Sequence, residues 1–206
     1  LAENPVARLD FVEIVRKEVE IISTGHVQKM FEDALQNDLQ LVPYLTLGFF
    51  TGIRPEEIRL MTWGDIDIPT KGITIRPEVS KTHKRRFPEL SENAVAWLHA
   101  YQQRGGIMEG PIATLQEDAL FEHRQKNRLA AGVTHWPNSA MRHSFCSYWL
   151  ATYKDVNKLV LLSGHDSPDT MWRNYHRGTT ESEAAKFWAI VPPIESEKLI
   201  PFRSHS

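Results

Sequence analysis

LQLVPYLTLGFFTGIRPEE, residues Leu39 to Glu57, is the stretch on which the fold turns. From Leu39 to Phe50 it is apolar nearly all round, the pattern of a buried helix. Pro43 falls in the first turn, where a missing N–H is tolerated. Gly52 supplies a left-handed stop, and Pro55 opens a second, short helix directly afterwards.

Most of the chain on either side is helical too. Val27, Met30, Phe31 and Leu35 recur at helical spacing from Thr24 onwards. Ala94, Trp97, Leu98 and Tyr101 mark a helix entered through Ser91, and Leu115 to Ala131 is another. Asn138 to Ala151 carries Met141, Phe145, Tyr148 and Trp149 after a Pro137 start. Asp155 caps a helix that stops at Gly164, Ser167-Pro168 opens one that ends at Tyr175, and Thr180-Glu181-Ser182-Glu183 forms a capping box for the last. Strand character is confined to Asp65-Ile66-Asp67-Ile68, Gly72-Ile73-Thr74-Ile75 and a further edge at Arg86-Phe87-Pro88. The fold class is therefore α+β, mainly α, with a small antiparallel β-sheet of two or three strands. Residues 1–22 read as a linker, 23–192 as one domain and 193–206 as a tail.

Composition fits a globular domain: 206 residues, 41% hydrophobic, with six Trp and nine Phe. The single cysteine, Cys146, excludes an internal disulfide framework and a cysteine-based zinc site. The lone cysteine points to a reducing, cytoplasmic setting; no stretch approaches a membrane span and no signal peptide is visible. The chain starts at Leu1 and is read as part of something longer. Net charge is −2, a poor overall balance for a nucleic-acid binder. The basic residues are nevertheless gathered: Lys81, His83, Lys84, Arg85 and Arg86 form one run, while Arg173, His176 and Arg177 flank Tyr175.

Four segments stand in a telling order. Gly52-Ile53-Arg54-Pro55-Glu56-Glu57 comes first, then Ser80-Lys81-Thr82-His83-Lys84, then Met141-Arg142-His143-Ser144-Phe145, and finally Leu162-Ser163-Gly164-His165 with Tyr175 ten residues on. From about Ile22 to Ile190 the chain resembles the catalytic domain of the tyrosine recombinases, the phage-integrase family. The resemblance implies a site-specific DNA recombinase that breaks and rejoins strands through a 3′-phosphotyrosyl link, with neither metal nor ATP. It also implies a DNA-binding domain ahead of residues 1–22.

Each residue type suits that chemistry. Arg54 and Arg142 would hold the phosphate, since a guanidinium binds two of its oxygens and keeps its charge. Glu57 is expected to orient Arg54, because a buried arginine needs a partner. Lys81 would protonate the departing 5′ oxygen, with Lys84 as competitor in the same turn. His165 would hydrogen-bond the phosphate, and His143 stands directly after Arg142. Tyr175 would be the nucleophile, weak until its proton is removed or cations favour the phenolate. Lys84, Arg85, Arg86 and Arg173 are the DNA-binding candidates.

One position departs from the family. A histidine or lysine usually stands three residues before the second arginine; here it is Ser139, which cannot act as a base near pH 7. The expected partners are double-stranded DNA and other protomers in a DNA-bound synaptic tetramer, with no membrane, and the setting is nucleoid-associated. No cofactor is implied: HExxH, clustered His/Asp ligands and a GxxxxGK[ST] loop are all missing from the sequence. Two other readings share features with this one, a type IB topoisomerase and a non-catalytic helical DNA-binding regulator.

Overall fold

A computed structural model describes residues 19–165, 167–176 and 178–193. The expected linker up to residue 18, the tail beyond 193 and Arg177 lie outside them. The described residues hold nine α-helices, a short 3-10 helix at Trp63–Asp65 and one two-stranded sheet. They are α1 (Thr24–Asn37), α2 (Leu41–Thr51), α3 (Pro55–Leu60), β1 (Ile66–Asp67), β2 (Gly72–Ile73), α4 (Glu92–Gln103), α5 (Glu117–Ala130), α6 (Ala140–Tyr153), α7 (Val156–Ser163), α8 (Pro168–Tyr175) and α9 (Glu181–Trp188).

Every residue of α2 is buried, as its all-round apolar sequence requires. It packs against α1, α4 and α6, and Phe31 of α1 stacks on Phe50 with ring centroids 5.0 Å apart. Gly48 permits the closest approach: a Cβ there would lie 2.5 Å from Met141 Sδ of α6. A smaller cluster of Phe145, Cys146, Trp149, Leu159, Met171 and Tyr175 ties α6 to α7 and α8. The last helix, α9, lies on α6 of its own chain, where Phe187 is fully buried and stacks on Tyr148 at 4.2 Å. Trp97 anchors its far end by donating to the Ile190 carbonyl at 3.0 Å.

The sheet pairs Ile66 with Ile73 and Asp67 with Gly72, antiparallel. The third edge is reduced to isolated bridges, Gly72 with Glu89 and Ile75 with Arg86. Pro88 accepts from Ile73 N–H at 3.1 Å but has no N–H to return, so the ladder breaks there. None of the helices among the described residues is long and apolar enough to cross a membrane.

Candidate active site

Two glycines in the left-handed conformation frame the site: Gly52 ends α2 and Gly164 ends α7, each with φ of 67°. Each offers its carbonyl to an arginine from elsewhere. Arg142 Nη1 donates to Gly52 O at 2.8 Å, and Arg54 Nη2 donates to Gly164 O at 3.2 Å. The helix stops that the sequence announced thus position the two arginines.

Arg54 caps α3, and its N–H and Nη1 donate to the Glu57 carboxylate at 3.1 and 3.2 Å. The expected partner is in place, but Glu57 has more than one client. Only 1% exposed, it also accepts from both terminal nitrogens of Arg86 and from the Lys81 N–H at 3.3 Å. Burial alone would push its carboxyl up; the hydrogen bonds and charge of Arg86, then Arg54, outweigh that and hold it below its ordinary value.

Arg86 corrects the sequence reading. Expected among the outward DNA contacts, it is 7% exposed and turned in to Glu57. Its bridge partner Ile75 is fully buried, and residues paired across a ladder share a face. Lys81, Lys84 and Arg85 on the same loop are exposed, as is Arg173 of α8, which lies 3.9 Å from Asp169.

Ser139 is the N-cap of α6, itself in the left-handed region with φ of 53°. Three residues on, Arg142 is buried and its Nη2 donates to His165 Nδ1 at 3.0 Å. Ser163 Oγ lies 2.7 Å from the same nitrogen. Burial first, then the charges of Arg142 and Arg54, drive His165 down to about 3, so it is neutral and accepts.

Tyr175 closes the cluster as the last residue of α8, 2% exposed. Its Oη is 2.7 Å from His143 Nδ1, and its ring centroid is 6.0 Å from that of His165. Burial raises the phenol far above its ordinary value and Cys146 adds to this, while Arg142 and Arg54 oppose it. Burial also lifts the Cys146 thiol to about 11, so it stays protonated beside Tyr175.

The structure therefore gathers Arg54, Glu57, Arg142, His143, His165 and Tyr175, with Lys81 joined only through its backbone. Sequence reasoning missed the His143–Tyr175 contact and the burial of Arg86. Adjacency to Arg142 was the one available signal for the first; Arg86 needed the register of its bridge.

The Phage integrase family model matches residues 20–182. Tyrosine recombinase XerC of Chlamydia pneumoniae is 27% identical over 141 residues, covering 61% of this chain and 43% of its own. XerC of Xanthomonas campestris pv. campestris is 25% identical over 175 residues, covering 80% and 53%. The chain thus spans about half the length of the curated relatives it matches. Among solved structures, XerA recombinase superposes with a TM-score of 0.64 at 17% identity, covering 87% of this chain and 66% of its own. The catalytic domain of bacteriophage HP1 integrase gives 0.60 at 18% identity, covering 82% and 94%. At such identities the likeness is one of fold. With the family model spanning helices α1 to α8 and every residue of the arginine–histidine–tyrosine cluster, the chain belongs to the phage integrase family.

Proposed function

We propose that this chain is the catalytic part of a site-specific DNA recombinase that cleaves and rejoins strands through a 3′-phosphotyrosyl intermediate. The observation that carries this reading is the convergence of Arg142, His165 and Tyr175, with Arg142 bonded to His165 at 3.0 Å and His165 beside the Tyr175 ring. Arg54 and Arg142 bind the non-bridging oxygens of the scissile phosphate and offset the charge that builds there. Loss of one such donor costs about 100- to 1000-fold in rate. Neutral His165 adds a hydrogen bond to the phosphate. Attack by Tyr175 forms the phosphotyrosyl bond as the bond to the 5′ oxygen breaks, and the exposed Lys81 closes over the DNA to protonate that oxygen. The displaced hydroxyl of another strand reverses the step, so the bond energy is kept and no nucleotide is consumed.

Access favours the Arg54 side. Its side chain is 18% exposed, whereas Arg142 and Tyr175 are nearly sealed. Lys81, Lys84, Arg85 and Arg173 are the exposed cations available to the DNA backbone, and binding through them is salt-sensitive. The partners are double-stranded DNA and further protomers in a synaptic tetramer, and the work is done on the nucleoid in the cytoplasm. XerH has been solved bound to its palindromic difH substrate, and at a TM-score of 0.58 it has the same fold.

Incubation of the full-length protein with a pool of nicked duplexes carrying a randomised core tests this reading. A covalent adduct that survives SDS, and is absent with Tyr175→Phe, supports it. A wild-type protein that selects sequences from the pool yet gives no adduct is a regulator, and the reading fails.

A further inference from the structure

We propose that His143 is the proton acceptor for Tyr175, a role that Ser139 cannot fill; this rests on the recombinase reading. Three observations converge on it. First, His143 Nδ1 lies 2.7 Å from the phenolic oxygen, within reach for direct transfer. Second, the other titratable side chains beside the Tyr175 ring are unsuited. Cys146 is a protonated thiol, and His165 Nδ1 is engaged by Arg142 at 3.0 Å. Third, His143 has a way out for the proton. It also lines a groove of about 250 Å³ shared with Glu20, His135, Trp136 and Asn138. Glu20 and His135 meet across that groove at 2.9 Å.

The geometry of α6 explains the displacement. Ser139 O accepts from His143 N–H at 2.9 Å, so the two stand one helical turn apart. The base has moved one turn along the same helix and reaches Tyr175 from there. Burial, then Arg142, lowers the His143 pKa, which leaves the ring neutral and able to accept at pH 7. In the step, the Tyr175 O–H proton passes to Nδ1 as the oxygen bonds to phosphorus. The P–O5′ bond breaks, and the 5′ oxygen takes its proton from Lys81.

His143→Ala in the full-length protein, assayed on nicked duplexes selected by the wild type, tests the assignment. Cleavage is expected to slow about 100-fold or more, in line with the usual contribution of a general base, and added imidazole should restore it in proportion to its neutral form. His143→Gln, which fills the space and can hydrogen-bond but cannot take a proton, should stay slow. Wild-type speed in either variant overturns the proposal, as does a slow alanine variant that glutamine rescues and imidazole does not; the latter marks a positioning role. If the wild type itself makes no adduct, the recombinase reading fails first and this proposal with it. The groups facing His143 that could shape its pH profile are Arg142, Cys146, His165 and Tyr175, with Glu20 and His135 across the groove.

Discussion

Replacing Glu57 by glutamine should disable the fold before it disables the chemistry. The change preserves volume but removes the charge that Arg54 and Arg86 share. Glu57 and Arg86 are 1% and 7% exposed, so solvent cannot take over the lost pairing. An amide can accept through one oxygen only, and its NH₂ would face guanidinium donors. Removing one partner of a buried ion pair costs about 3–5 kcal/mol. For a domain of this size each kcal/mol is worth about 2–4 °C, so Tm should fall by roughly 6–20 °C. Differential scanning calorimetry on wild type, Glu57→Gln, Arg86→Met and the Glu57→Gln/Arg86→Met double variant reads this directly. The double variant should lose less than the sum of the two single variants, since Arg86 no longer stands buried without its partner and only Arg54 is left without its carboxylate. The sign with pH follows from the lowered Glu57 pKa. Its contribution is complete above the unfolded value of 4.5 and is lost as pH falls through the lower folded value, so the gap to Glu57→Gln should narrow in acid. A glutamine variant melting within about 2 °C of wild type at pH 7 would refute the reasoning, since the buried charge would then contribute about 1 kcal/mol or less.

Gly52→Ala should destabilise by about 2–5 kcal/mol, combining a left-handed residue with overpacking, because its Cβ would lie 2.3 Å from the Phe145 ring. Urea unfolding should show a lower midpoint with an unchanged slope. His165 makes stability fall in acid: its folded pKa of about 3 lies below the unfolded 6.5, so the penalty is absent above pH 6.5 and grows as pH drops towards 3. The slope from this one group is at most about 1.4 kcal/mol per pH unit, and His165→Gln should flatten it in a urea series from pH 7 to 4. Trp97→Phe leaves the Ile190 carbonyl without its donor at 3.0 Å and should cost about 1–3 kcal/mol by the same assay.

How much of this was written in the sequence depends on how local the determinant is. Helix ends were legible because caps act within a turn: Asp155, Ser167 and Thr180 each accept from a backbone N–H in the first turn, although Ser91 makes no such bond. Even so, the Thr180 box is only half formed, since the Glu183 carboxylate is taken by Thr24 and Lys186. Strand ends were less legible, because the loss of the third edge turns on one missing N–H at Pro88. The facing of Arg86 was beyond local reading: one residue of register decides whether it meets DNA or Glu57. The same holds for His143, whose partner depends on how α6 is rotated against α8. The order of the arginines, the histidine and the tyrosine survives any such rotation, and so the family resemblance was readable when the contacts were not.

The central claim is that Tyr175 becomes covalently joined to DNA. Its most direct test is to digest the adduct formed on a nicked duplex with protease and nuclease and to sequence the modified peptide by mass spectrometry. The account predicts a single nucleotide remnant on Tyr175, linked through a 3′-phosphate, with a free 5′ hydroxyl on the released strand. A remnant on any other residue, or a 5′-phosphate linkage, would contradict it.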